Sequence, residues 1–259
     1  TVHGSYSINA YSGIMTRGEK IIAVSAFIQD YILNNYPRAR PEDICHISGG
    51  VSTEEFPFAY QPDATWRENF TRAFPETRQK HLLTLPARIT RRKGQIDFLH
   101  VLAGMLEKRQ DIQGLIVGAP DARREGYARE LKQLAHSLGL TKQISFTGHR
   151  DDLRNIMAIS TLVYSLSRIP EAFGLTALEA LSLGKPVIAY DHGGASEVLG
   201  TIYPTGLIPP EDRDQTIATS LAMLENPMPV PDTHPFTLEA MQVATIEMYE
   251  SLFMNVKAG

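Results

Sequence analysis

At 259 residues, with 43% apolar and 21% charged side chains, the chain is long enough for one large domain or two modest ones and has the composition of an ordinary globular protein. Its net charge of −4 excludes a general pull toward nucleic acid or an anionic membrane, so any anion site has to be a local cluster of cations. A single cysteine, Cys45, excludes an intrachain disulfide and fits a reducing compartment, and no apolar run approaches the ~18–20 residues of a membrane span.

The chain opens on "TVHGSYSIN", with no signal-peptide pattern, and reads like the middle of something longer; an N-terminal portion is expected to be missing. "KIIAVSAFIQDYILNNY" (20–36) reads as a strand running into a helix with Ser25 as N-cap, and "DICHISGGVS" (43–52) as a strand ending in a glycine turn. Residues 56–80 are rich in proline and aromatics without a clean period and read as a linker. From 81 onward, strands and helices alternate. Strands are expected at 81–87, 114–119, 143–148, 161–167 and 186–190. Helices are expected at 94–109, 122–138, 151–160, 173–183 and 195–200. Gly184 and Pro186 end the helix at 173–183. After a proline-rich stretch (227–235), residues 236–253 form an amphipathic helix with Leu238, Met241, Ala244, Met248 and Leu252 on its apolar face. This alternation predicts an α/β protein with a parallel sheet covered on both faces. The division is 1–55, the tail of a first Rossmann-like domain; 56–80, a linker; 81–235, a complete second domain; and 236–259, a terminal helix packing back on the first.

Ligands of such sheets bind beyond the carboxyl ends of the strands. There, "ARITRRKG" supplies Arg88, Arg91, Arg92 and Lys93. The run suits either an anion trap or a solvated basic turn. "RIPEAFGLTALEAL" leads from a strand into a helix whose first N–H groups, at 173–175, are free to meet a phosphate, with Gly174 allowing close approach. Leu175, Leu178 and Leu181 form the buried stripe of that helix, and Glu179 flanks it half-buried. Such a carboxylate suits an arginine partner or a loop amide as well as a ribose diol.

"PEAFGLTALEALSLGKPVIAYDHGG" resembles the donor-binding motif of family 4 glycosyltransferases, retaining enzymes of the two-domain GT-B fold. The likeness includes the two glutamates, with seven residues between them, and the Phe-Gly step after the first. Arg88 and Lys93-Gly94 keep the family's upstream spacing, and "SFTGHRDDLRNIMAIS" is similar to its nucleotide-base segment. "IIAVSAFIQDYI" and "ISGGVSTEEF" resemble the end of its acceptor domain, and "TVHG" the strand that ends in its active-site histidine. The pattern departs at Gly49, Ser52 and Ala87, and the glycine-rich loop that opens the acceptor domain is lacking, so that domain is expected to be only partly present.

The resemblance implies sugar transfer from a nucleotide-diphosphate sugar, such as a UDP- or GDP-sugar, to a glycan or lipid-linked acceptor. It implies retention at the anomeric carbon, no metal and no cofactor. Arg88 and Lys93 would bind the diphosphate, Glu179 the ribose, and Glu171 the donor sugar near the reacting carbon. The amides of Phe173, Gly174 and Leu175 would cover phosphate and sugar, His149 and Arg150 would face the base, and His3 would lie across the cleft. His3, Glu171, Arg88 and Lys93 form the expected catalytic set. A capped structural histidine is the alternative for His3, and a non-catalytic nucleotide-sugar module or another GT-B enzyme, such as an epimerase or a phosphorylase, the alternatives for the whole. The expected location is the cytoplasm, with any peripheral membrane contact at its inner face made through the N-terminal part. No nucleic-acid partner is expected.

Overall fold

The computed structural model describes residues 1–9, 11–120 and 125–258. In chain order its elements are β1 (Ile21–Ala23), α1 (Ala26–Asn35), β2 (Ile44–His46), α2 (Ala64–Ala73), β3 (His81–Pro86), α3 (Gln95–Leu106), β4 (Ile112–Val117), α4 (Glu125–Ser137) and β5 (Ile144–Gly148). They continue with α5 (Leu153–Ile159), β6 (Leu162–Ser165), α6 (Leu175–Ser182), β7 (Val187–Tyr190), α7 (Gly193–Ile202), β8 (Leu207–Ile208), α8 (Arg213–Glu225) and α9 (Leu238–Ala258). Residues 122–124 of the expected helix at 122–138 lie outside the described residues.

β3 and β4 are short runs dominated by Leu, Ile and Val, buried almost without a break. That pattern belongs to strands covered on both faces. They pair within a six-stranded sheet in the order β5-β4-β3-β6-β7-β8, with β3 and β6 at its centre, and every pair is parallel. Leu83, Leu115, Ile116, Val187 and Ile188 are wholly buried in its core, each worth ~1.5–3 kcal/mol relative to exposure. The chain moves from β3 outward through β4 to β5, then returns to the other side of β3 with β6. The order therefore reverses between β3 and β6, and the loops that leave these two strands part to form a crevice.

Three elements differ from the sequence reading. The stretch at 56–80 contains α2, capped by Asp63, whose Oδ1 accepts from the Trp66 N–H at 2.8 Å. Its Phe70 is buried with Leu82, Leu115, Val117 and Ile156, so this helix belongs to the main sheet. β8 and α8 extend the sheet and its cover through a region to which the sequence assigned no element.

β1 and β2 form a separate two-stranded parallel sheet, joined by Val2 through a bridge to Ala23. This part is fastened to the main domain by specific bonds. Ser25 caps α1 as expected, and its Oγ also donates to the Ala172 carbonyl at 2.6 Å. From α7, the Glu197 carboxylate accepts from the Ala26 and Phe27 N–H groups at 2.9 and 2.7 Å, satisfying two orphan donors and complementing the helix dipole. The segment before α9 returns to the same region. The Val51 N–H donates to the Phe236 carbonyl, and the Leu238 N–H to the Val51 carbonyl. The expected inner face of α9 is half-buried at Leu238, Met241, Ala244, Met248 and Leu252, while Val243, Ile246, Tyr249 and Phe253 are exposed. Among the described residues no helix is long and apolar enough to cross a membrane.

Candidate active site

A cleft of about 810 Å³ lies at the reversal point between β3 and β6. Its floor is the turn after β3. Gly94 there has φ +71°, and an added Cβ would come within 1.9 Å of the Leu166 carbonyl oxygen; any other residue would push the two loops apart. The buried Gln95 donates from Nε2 to the Arg88 carbonyl at 2.9 Å. The Arg92 carbonyl accepts from the Arg168 N–H at 2.8 Å and from Ser167 Oγ at 3.2 Å. The loops after β3 and β6 are thus one hydrogen-bonded unit.

Three of the four cations of the basic run line this cleft: Arg88, Arg92 and Lys93. Arg91 does not. Its guanidinium pairs with Glu130 at 2.6 Å and lies 4.7 Å from the centre of the Tyr127 ring. Lys93 donates to Glu171 Oε1, which brings the expected diphosphate lysine and the expected sugar carboxylate together.

The opposite wall is the entry to α6. Gly174 is the N-cap at φ +87°, and a Cβ there would lie 2.8 Å from the Cα of Ala195. The glycine that the sequence reading reserved for ligand approach thus also admits the start of α7. The N–H groups of Phe173, Gly174 and Leu175 have no acceptor among the described residues, and all three residues line the cleft. Leu175 departs from expectation: it is 47% exposed and faces the cleft, while Leu178 and Leu181 are fully buried. The first turn of a helix has solvent or ligand where later turns have core. His3 completes the cleft from the other sheet, together with Tyr6.

The structure does not bring His149, Arg150 or Glu179 to this cleft. His149 is exposed and pairs with Asp151 at 3.0 Å. Arg150 donates to both oxygens of Asp152 at 2.8 and 2.6 Å, and Trp66 Nε1 donates to the same carboxylate. Glu179 lies half-buried further along α6, and its pKa is pushed up to about 7, first by burial and then by repulsion from Glu55.

Glu179 binds its proton more tightly folded than unfolded, so it opposes folding increasingly as pH rises from the ordinary carboxylate range through about 7. Glu179→Gln should therefore be more stable than the wild type at pH 8, with the difference shrinking toward pH 5. Urea unfolding at the two pH values measures this; a difference that does not change with pH would contradict it.

The sequence reading also missed an ionic cluster behind the cleft. Asp97, fully buried in the first turn of α3, accepts from Arg168 Nε and Nη2 at 2.7 Å each, and from Arg213 Nη2 at 3.0 Å. Burial alone would raise its pKa, but the bonds from Arg168 and then Arg213 outweigh it and hold the group below the usual range. A lone aspartate inside the apolar run "QIDFLHVL" was the available signal, since a buried charge requires a partner.

A crevice at the reversal point of a parallel sheet, with clustered cations facing an open helix N-terminus, is an arrangement of α/β proteins that can hold a phosphorylated ligand. Residues 67–233 match the family described as Glycosyl transferases group 1, and the chain belongs to that family. It is 28% identical over 203 residues to the lipopolysaccharide 1,2-N-acetylglucosaminetransferase of Salmonella typhimurium, covering 76% of this chain and 51% of that protein. It is 26% identical over 228 residues to the alpha-maltose-1-phosphate synthase of Mycolicibacterium smegmatis, covering 86% of this chain and 57% of that one. The chain thus spans about half the length of these curated relatives. A glycosyltransferase from Rickettsia africae superposes with a TM-score of 0.81 at 25% identity, over 97% of this chain and 69% of that chain. Anabaena HepE, solved with UDP and glucose, superposes at 0.71 with 22% identity, over 93% and 64% of the two chains, a likeness of fold alone. The architecture is that of GT-B glycosyltransferases.

Proposed function

We propose that this chain carries the donor site of a retaining, metal-independent glycosyltransferase. The enzyme moves a sugar from a nucleotide-diphosphate sugar to a hydroxyl of a glycan or lipid-linked acceptor. One observation carries the reading: Arg88, Lys93, Glu171 and the open N–H groups at 173–175 converge in one cleft, with His3 on its far side. The relatives named for lipopolysaccharide and phosphatidyl-myo-inositol glycosylation support the acceptor class, and the UDP complex of HepE supports the donor class.

Transfer leaves negative charge on the departing diphosphate. Arg88, Lys93 and the dipole of α6 offset that charge as it develops. The diphosphate oxygen then assists removal of the acceptor proton on the same face of the sugar, which gives retention. The Glu171 carboxylate, already accepting from Lys93, is placed to accept from sugar hydroxyls near the reacting carbon. In this reading Glu179 holds the ribose, and His149 and Arg150 lie toward the base.

The two glutamates separate the steps. Glu179→Gln should weaken binding of the free nucleotide, because a diol loses its charged acceptor. Glu171→Gln should leave that binding intact and slow transfer from the nucleotide sugar. Calorimetry with nucleotide and a transfer assay check the division; equal loss of free-nucleotide affinity in both variants would overturn it.

A further inference from the structure

The family resemblance assigns Arg88 and Lys93 to the diphosphate, but their charges are not equally available. Lys93 is bonded to Glu171, so that pair is neutral as a unit. Two guanidinium groups remain at the cleft, those of Arg88 and Arg92, and among the described residues neither has a side-chain hydrogen-bond or ion-pair partner. Arg91, between them, shows what an idle cation here does: it folds away onto Glu130 and Tyr127. Arg92 does not fold away. Its backbone is pinned by bonds from Arg168 and Ser167, and the residue is exposed at the lining of the cleft.

We infer that Arg92 is a donor-binding residue, and that with Arg88 it takes up the two charges of the diphosphate. A nucleoside diphosphate sugar carries one negative charge on each phosphate, and two unpaired guanidinium groups match them. Each presents a planar fork suited to phosphate oxygens, which the ammonium group of Lys93 lacks. Lys93 meets the diphosphate from the Glu171 end, where the sugar joins the phosphate and where charge develops as the bond breaks. This inference rests on the function proposed above.

The test is calorimetric titration of this chain with UDP, GDP, ADP and dTDP and their monophosphates, for the wild type, Arg88→Ala, Arg92→Ala and Arg92→Lys. Arg92 is exposed, and unchanged thermal melting checks that its variants keep the fold. For the diphosphate the wild type binds best, Arg92→Ala should lose about five- to tenfold in affinity and Arg92→Lys less. The matching monophosphate should change by less than about twofold. Wild-type diphosphate affinity in Arg92→Ala, alongside a loss in Arg88→Ala, would overturn the assignment while leaving the proposed function intact. Equal losses for monophosphate and diphosphate would also overturn it. Absence of any diphosphate binding by the wild type would defeat the proposed function, and this inference with it.

Discussion

Arg88→Ala should weaken binding of a nucleoside diphosphate by about tenfold or more, with no change in thermal stability. Charge-assisted hydrogen bonds to phosphate are worth ~1.5–3 kcal/mol, and among the described residues the guanidinium of Arg88 has no side-chain hydrogen-bond or ion-pair partner that its loss would break. What holds the loop is backbone: the Arg88 carbonyl receives the Gln95 amide, and the alanine variant keeps that carbonyl. The loss should therefore appear in calorimetry and not in melting. A variant that binds as the wild type does would remove Arg88 from the site, and one that melts well below it would make the residue structural.

Asp97→Asn should have the largest effect on stability, about 2–4 kcal/mol in urea unfolding. Breaking a buried ion pair leaves an uncompensated charge and commonly costs ~3–5 kcal/mol; here Arg168 and Arg213 are each at least 30% exposed and recover part of that in water. Binding should weaken too, because Arg168 belongs to the loop that carries Glu171 and is bonded to Arg92. The pH dependence gives a second check. The pKa of Asp97 is lower folded than unfolded, so its contribution is complete above the ordinary carboxylate range and is lost as pH falls through the folded value. The wild type should therefore lose its advantage over Asp97→Asn in acid. An advantage that persisted unchanged would mean that the cluster contributes through packing alone.

The parts that could be read from the sequence were those written in apolar runs. β3, β4, β6 and β7 are mainly apolar stretches buried on both sides, and the helices between them carry a helical stripe. α8 was not readable, because the face it buries begins with Thr216 and Ser220; Ser220 bonds the Tyr164 hydroxyl at 2.9 Å, and a polar buried face leaves no hydrophobic period. α2 buries only Phe70 among ten residues, and neighbouring prolines obscure it. β8 has two residues. In the site, spacing alone left the basic run and the glutamates open; it was the resemblance to a family motif, each part contained in one loop, that pointed to the Arg88–Lys93 pair and to Glu171. Spacing did not separate Arg91 from Arg92, nor show that Asp97 meets Arg168 and Arg213, because those partners lie 71 and 116 residues away in sequence.

The most direct measurement is a crystal structure of this chain with a nucleoside diphosphate sugar. The diphosphate should lie between Arg88 and the N–H groups of Phe173, Gly174 and Leu175, the sugar hydroxyls on Glu171, and the ribose toward Glu179. A ligand bound elsewhere on the chain, or one in the cleft with its phosphates away from both Arg88 and the start of α6, would contradict it.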